Sequence, residues 1–329
     1  MTSPADAVVT EPDGRGTDAA GSPLSPWITL LLGAAAAVIG LLPWLIAGAQ
    51  LPLQNLWATA TLPGDMPFAL LPFSQYALVL IAGLLITGAA VAGVTARALR
   101  ARIGRPAFVA LVAGLLVVQV AATVQTSLTV WAGLQQRGES ALYLAALVAV
   151  ASLSVLVGVL VLCLVARAPR AGALVGLSLA AAALAPWLGG LIVPFGSVPP
   201  DAVYPIVALV RWVPPALVGI AIAWAGIASV GRAVAAVFAL VVVWIAPALI
   251  TGISSAAGTR VLAKYPAEML EYGIGVFRMA ATVPELALPP LVVAIVVAAA
   301  GLGIRALRAR TRRNVTPVET APSDPAPDA

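Results

Sequence analysis

Runs of about 20 consecutive apolar residues recur along the chain, and each could cross the ~30 Å hydrocarbon core of a bilayer as a helix. In lipid, only helices and closed barrels satisfy every backbone amide, and these runs lack the alternating pattern of barrel strands. The sequence therefore predicts an all-α fold, a polytopic helical membrane bundle of about eight transmembrane helices.

The charge content agrees with this class. Charged residues make up 9% of the chain, whereas soluble domains contain about 25%. The net charge of +5 comes from arginines between the apolar runs, which the positive-inside rule explains without nucleic-acid binding. The chain has one cysteine and no histidine. An intramolecular disulfide, His-ligated haem, a His-rich metal site and Ser-His-Asp catalysis are therefore excluded.

We number the predicted spans in chain order. They cover approximately residues 27–49, 70–97, 106–131, 141–166, 172–195, 213–230, 233–250 and 286–305. The run 202–230 contains Arg211 and a Pro-Pro pair, so it is either one broken span or a short outer segment followed by the span at 213–230. This 27–305 membrane domain is flanked by residues 1–26 and by the basic, then acidic and proline-rich residues 306–329, which predict disordered cytoplasmic tails.

The arginines indicate an orientation. They concentrate after the second, fourth, sixth and eighth spans, whereas carboxylates accumulate in the opposite loops. By the positive-inside rule, both termini lie in the cytoplasm. The sequence thus predicts a multi-pass protein of a bacterial cytoplasmic (inner) membrane, with the lipid bilayer around it.

Prolines collect in the halves of the spans away from the arginines. They are Pro43, Pro67, Pro72, Pro186, Pro194, Pro205, Pro214, Pro215, Pro247, Pro289 and Pro290. A proline within a helix kinks it and frees a carbonyl, which in lipid needs protein or water as a partner. The pattern predicts an outward-facing vestibule between splayed helix halves. Alternatively, the prolines only mark helix ends and kinks filled by neighbouring side chains.

Similar short motifs recur in the two halves of the chain. The first span contains LPWLIAG around Pro43, and the fifth contains APWLGGL around Pro186. Glu139 begins the fourth span in ESAL, and Glu285 begins the eighth in ELAL. These matches indicate a parallel 4+4 repeat of the kind some transporters use. The alternative is chance similarity among helices rich in Ala, Leu and Val.

Three polar residues stand out within or beside the spans. Gln119 and Gln125 give the third span a polar half, which either bonds across helices or lines a wet cavity. Arg211 is flanked by apolar residues, and charges in a membrane are costly. Its side chain either extends to the headgroups or pairs with Asp201 or Glu285, or it contacts a substrate anion.

The longest polar interruption, residues 251–285, is predicted to lie outside the cytoplasm. It contains an amphipathic helix with Glu268, Glu271 and Arg278 close to one face. The helix either caps the bundle or acts as a partner-docking or gating element. The candidate cavity or partner-contact residues are therefore Gln119, Gln125, Arg211, Glu268, Glu271, Arg278 and Glu285.

No phosphate loop, dinucleotide fingerprint or hydrolase motif is present, and no local motif positions the outer carboxylates for acid–base chemistry. We expect a non-catalytic protein without a cofactor or metal site. Few ionisable residues lie within the spans, which favours a scaffold or accessory subunit acting through a membrane or envelope protein partner. The alternative is a permease-like transporter of an uncharged or weakly polar substrate. The oligomeric state stays open.

Overall fold

The computed structural model describes residues 22–259 and 261–314. Within these residues, eight helices are long and apolar enough to cross a membrane, in agreement with a multi-pass helical membrane protein. The tails predicted at 1–26 and 306–329 lie mostly outside the described residues.

The described residues form ten α-helices, of which α6 and α7 together make the broken sixth span. They are α1 (Pro26–Ile46), α2 (Leu78–Ala98), α3 (Arg105–Gly133), α4 (Gly138–Arg167), α5 (Arg170–Ile192), α6 (Tyr204–Val210), α7 (Val213–Ala225), α8 (Val230–Gly258), α9 (Pro266–Thr282) and α10 (Pro284–Asn314).

Several helix bounds differ from the predicted ones. The second span begins only at Gln75, because the preceding residues belong to a packed loop. α8 continues past residue 250 to Gly258, where its last turns pack against α9. α10 continues past residue 305 to Asn314, so the basic start of the predicted tail is helical. Arginine and alanine, which fill that stretch, are good helix formers.

Close helix contacts build the first four spans into one group. α1 packs against α3 and α2, and α2 packs against α4. At the first crossing, a Cβ on Gly33 of α1 would overlap the carbonyl of Leu111, and a Cβ on Gly114 of α3 would overlap that of Leu30. Small residues of this kind let helix backbones approach closely in lipid.

The last four spans form a second group with the same pattern of pairs. α5 packs against α8 and α7, and α7 packs against α10. α5 also packs against α2 and α4, which joins the two groups. At this junction, a Cβ on Gly83 of α2 would lie 3.1 Å from the carbonyl oxygen of Ala183.

The loop between α1 and α2 turns back into the first group. Ala69, Leu71 and Phe73 of this loop are fully buried, in a cluster to which α1, α2, α3 and α4 all contribute. The Trp44 indole of α1 donates a hydrogen bond of 2.7 Å to the Ala69 carbonyl. The loop thereby fills one end of the first group.

Arginines bind helix carbonyls at the opposite end. Arg97 of α2 donates to the Val165 carbonyl of α4 at 2.7 Å, and Arg305 of α10 donates to the Trp224 carbonyl of α7 at 2.9 Å. These side chains satisfy carbonyls at helix C-termini, where cations are favourable. We call this end of the bundle the arginine end and the other the proline end.

Gly114→Ala should destabilise the protein, because the added Cβ forces α1 and α3 apart. Overpacking of this kind costs about 1–3 kcal/mol. The expected result is a lower melting temperature in detergent. Gly303→Ala on α10 is the matched control, since a Cβ there meets nothing within 4 Å. Equal melting temperatures for the two variants would contradict the close crossing.

Candidate functional site

A cavity of about 610 Å³ lies in the second helix group, between α5, α7, α8 and α10. Residues of α6 and the turn after it complete its wall on one side. This volume falls within the ~300–1,000 Å³ typical of ligand pockets. The wall is mainly apolar, as in most small-molecule sites.

The cavity reaches from the proline end to the middle of the bundle. Ile192, the last residue of α5, lies at the proline end of its wall. Val243, near the middle of α8, and Ser178 of α5 lie at its inner part. The cavity therefore extends from the proline end to about the middle of the helices.

Each of the four helices around the cavity contains proline in its half towards the proline end. These residues are Pro186 of α5, Pro214 and Pro215 of α7, Pro247 of α8, and Pro289 and Pro290 of α10. Among the other spans, only α1 has a proline beyond its first turn. The cavity therefore coincides with the region where broken helices meet.

The same prolines change the chemistry of the wall. A proline at position i removes the donor that would bind the carbonyl at i−4. In α5, α8 and α10, the carbonyls affected belong to Ala182, Val243, Glu285 and Leu286, and all four residues line the cavity. The mainly apolar wall thus includes residues whose carbonyls have lost their regular helical donor.

Arg211 and Glu285 lie at the same cavity, and both side chains are exposed. The Arg211 Cζ atom lies 4.4 Å from the centroid of the adjacent Trp212 ring. Among the described residues, Arg211 forms no ion pair with Asp201 or Glu285, so this one of the three alternatives for its side chain is not observed. The mouth instead presents a cation and a carboxylate that do not neutralise each other.

Gln119 and Gln125 lie outside this cavity, in the first helix group. Gln119 is 1% exposed, and its amide donates to the Leu85 carbonyl of α2 at 2.8 Å. The Gln125 Oε1 atom accepts a hydrogen bond from the Leu70 amide at 2.9 Å, and its Nε2 donates to the Phe68 carbonyl at 3.1 Å. Of the two readings, these bonds support the one in which both glutamines connect packed elements.

Glu268, Glu271 and Arg278 are exposed on α9 and do not line the cavity. α9 runs antiparallel along α8 instead of lying across the top of the bundle. The Trp244 indole of α8 donates to the Ala281 carbonyl of α9 at 2.9 Å. The structure therefore separates these three candidates from Arg211 and Glu285.

The vestibule predicted from the prolines included Pro186 of α5 and Pro247 of α8, but no residue of these helices was named as a site residue from the sequence. Ala182 and Val243 are ordinary apolar residues, and nothing in their own chemistry marks them. The usable signal was the proline four residues later, because it identifies the carbonyl that loses its donor. Proline spacing therefore indicates this wall better than polar side chains do.

The fold defines the class of the chain as a multi-pass helical membrane protein. Comparisons with protein-family models, with curated proteins and with solved structures found no match. The cavity and the residues around it are therefore the features that indicate a function.

Gln125→Leu should loosen the loop between α1 and α2, because the variant leaves the Leu70 amide without its acceptor. An unsatisfied buried donor costs about 1–3 kcal/mol. The measurement is hydrogen–deuterium exchange, which should become faster in the peptide around Leu70. Gln136→Leu is the control, since Gln136 is exposed and bonds only the nearby Leu134 carbonyl. Unchanged exchange around Leu70 would contradict the proposed role of Gln125.

Proposed function

We propose that this chain is a permease-like membrane protein that takes a largely apolar, weakly polar molecule into the cavity between α5, α7, α8 and α10. The observation that carries the proposal is the depth of the cavity, whose wall on α5 extends from Ile192 at the end of that helix to Ser178 in its first half. Transporters bind their substrates near the midplane, between helices that are broken there.

The two helix groups differ in a way that supports this function. The loop between α1 and α2 fills the proline end of the first group with buried side chains such as Phe73. The corresponding connection in the second group contains α6, whose residues are exposed or half-buried. In a purely structural subunit, an unfilled interior would only lower stability, because packed side chains stabilise a bundle.

The sequence favoured a scaffold because few ionisable residues lie within the spans. That argument applies to ion-coupled transporters, which usually need carboxylates or histidines at depth. It does not apply to a permease for a weakly polar substrate. The carbonyls of Ala182 and Val243 offer acceptors to a ligand hydroxyl or amine at the inner part of the cavity.

We propose that the protein is not an enzyme. Glu285 lines the cavity, but the other outer carboxylates, Asp65, Glu139 and Asp201, are not part of its wall. General acid–base chemistry needs a carboxylate and its partners at defined spacing around the substrate. Among the described residues, the cavity wall contains no second carboxylate beside Glu285.

We propose that the arginine end faces the cytoplasm of a bacterial cell. Arg97, Arg167 and Arg305 all bind backbone carbonyls at this end, which agrees with the positive-inside rule. In this orientation both termini are cytoplasmic. The mouth with Arg211 and Glu285 then opens on the outer side.

We also infer that the two helix groups are a parallel 4+4 repeat. α1 packs on α3 as α5 packs on α8, and α2 packs on α4 as α7 packs on α10. α3 and α8 have the same length of 29 residues. In this scheme, the cavity of the second group corresponds to the space that the α1–α2 loop fills in the first.

Ala182→Phe and Ala246→Phe should block binding, because each places a ring in the cavity. The probe is N-phenyl-1-naphthylamine, an uncharged apolar dye whose fluorescence rises in apolar sites. The dye then loses its aromatic packing against the cavity wall, which should weaken its binding by about tenfold or more. Ala300→Phe, at an exposed position of α10, is the matched control and should leave the affinity unchanged. Equal dye binding by all three variants would show that the cavity is not the binding site.

A permease should also expose the cavity to both sides of the membrane in turn. We expect Ala182→Cys, in a Cys163→Ala background, to react with a membrane-impermeant thiol reagent from either side of oriented vesicles. Val198→Cys, 89% exposed in the loop after α5, should react only from the outside. Ser229→Cys, exposed between α7 and α8, should react only from the inside.

The two loop variants test the proposed orientation, and Ala182→Cys tests transport. Reaction of Ala182→Cys from one side alone would favour a binding or scaffold protein that does not transport. Reversed labelling of the two loop variants would overturn the orientation without affecting the cavity.

A further inference from the structure

We propose that the molecule held in the cavity is a zwitterionic phospholipid of the surrounding bilayer whose headgroup joins a phosphate to a primary amine. Its phosphate would lie at Arg211 and its ammonium at Glu285. This inference rests on the proposed function and narrows the substrate of the same cavity to a largely apolar molecule that has no net charge but carries two opposite charges in its headgroup.

The mouth of the cavity contains two side chains of opposite charge. Arg211 and Glu285 line one cavity, yet none of their charged atoms lie within 4.0 Å of each other. An anionic ligand would be repelled by Glu285, and a cationic one by Arg211. A zwitterion satisfies both residues, because its two charges meet side chains of opposite sign.

The surroundings of Arg211 favour the binding of an anionic group. Its guanidinium lies against the Trp212 ring, with Cζ 4.4 Å from the ring centroid, and donates no hydrogen bond to any described residue. Stacking holds the group in one plane, and the planar fork of N–H donors matches the oxygens of a phosphate. Trp212 is also typical of the depth at which headgroups lie.

The first turn of α10 offers acceptors for an ammonium. Pro289 and Pro290 remove the donors that would bind the carbonyls of Glu285 and Leu286, so these acceptors accompany the Glu285 carboxylate in the first turn of α10. A primary ammonium has three N–H donors and can use all three acceptors. A trimethylated ammonium has no N–H donor, so the site should prefer an amine headgroup to a choline headgroup.

The inner part of the cavity suits acyl chains. Below the mouth the wall is formed by aliphatic side chains such as Val218, Val243 and Ala246. α6 borders the mouth, has α5 as its main helix contact and exposes Ile206 and Leu209. A lipid can therefore enter beside α6 directly from the bilayer, without passing through water.

The experiment is displacement of N-phenyl-1-naphthylamine from the full-length protein by four lipids with identical acyl chains. They carry ethanolamine phosphate, choline phosphate, glycerol phosphate or no headgroup. For the wild-type protein we expect the ethanolamine lipid to bind most tightly, by about tenfold over the glycerol-phosphate lipid, because hydrogen bonds to charged groups are strong.

Two charge variants should then have opposite effects on the affinity for the glycerol-phosphate lipid. Glu285→Gln should weaken the ethanolamine lipid by about tenfold and strengthen the anionic glycerol-phosphate lipid, because a repulsive carboxylate has been removed. Arg211→Gln should weaken binding of all three phosphate-bearing lipids and leave the lipid without a headgroup unchanged. The matched controls are Glu268→Gln and Arg278→Gln on α9, which should change none of the four affinities.

The outcomes separate this inference from the proposed function. If Ala182→Phe abolishes binding of every lipid while the charge variants shift all lipids equally or not at all, the zwitterion assignment is overturned and the cavity remains the site. If Ala182→Phe leaves all displacement curves unchanged, the cavity does not bind lipid and both proposals fail. Tightest binding by the glycerol-phosphate lipid would assign an anionic ligand and overturn the inference.

Discussion

The absence of water in the hydrocarbon core is the constraint on which this structure depends, because every backbone N–H and C=O must find a partner within the protein. Eight helices meet it through their own hydrogen bonds. A proline breaks that arrangement at one carbonyl, which is tolerable only beside a neighbouring donor or a cavity. Pro186, Pro247 and Pro290 each free a carbonyl on a residue that lines the same cavity. The position of the site is therefore a consequence of how the helices are broken.

The two groups of four helices share the same pattern of helix pairs, but their proline ends are filled differently. In the first group, the α1–α2 loop enters the bundle and binds α3, where Gln125 and Thr126 accept backbone hydrogen bonds of 2.9 Å each. These bonds stabilise a non-helical segment next to lipid, because protein groups accept the hydrogen bonds of its amides. The second group has α6 in that place, and its space stays open. The first group therefore has a filled interior and the second an open cavity, and the difference lies in one connection.

The candidate site was only partly predictable. Arg211 and Glu285 were identified because a charge beside an apolar run is expensive, and that cost is visible in the sequence. For Gln119 and Gln125 the sequence left two readings open, and their hydrogen bonds support the one in which they connect packed elements. α3 is apolar on nearly every face, so its sequence does not specify which side faces which neighbour. The wall from α5 and α8 could not be recognised from Ala182 or Val243, since backbone carbonyls carry no side-chain signature.

The sequence by itself determined the class of the protein, its eight spans and the positions of the helix breaks, because hydrophobic length and proline act locally along the chain. The tertiary structure decided which broken helices meet, that Gln125 supports a loop, and that α9 returns along α8. It also decided that Arg211 and Glu285 share one mouth without pairing. These features depend on the rotation and crossing of nearly uniform apolar helices, which close contacts such as Gly33 with α3 determine and which no short stretch of sequence encodes.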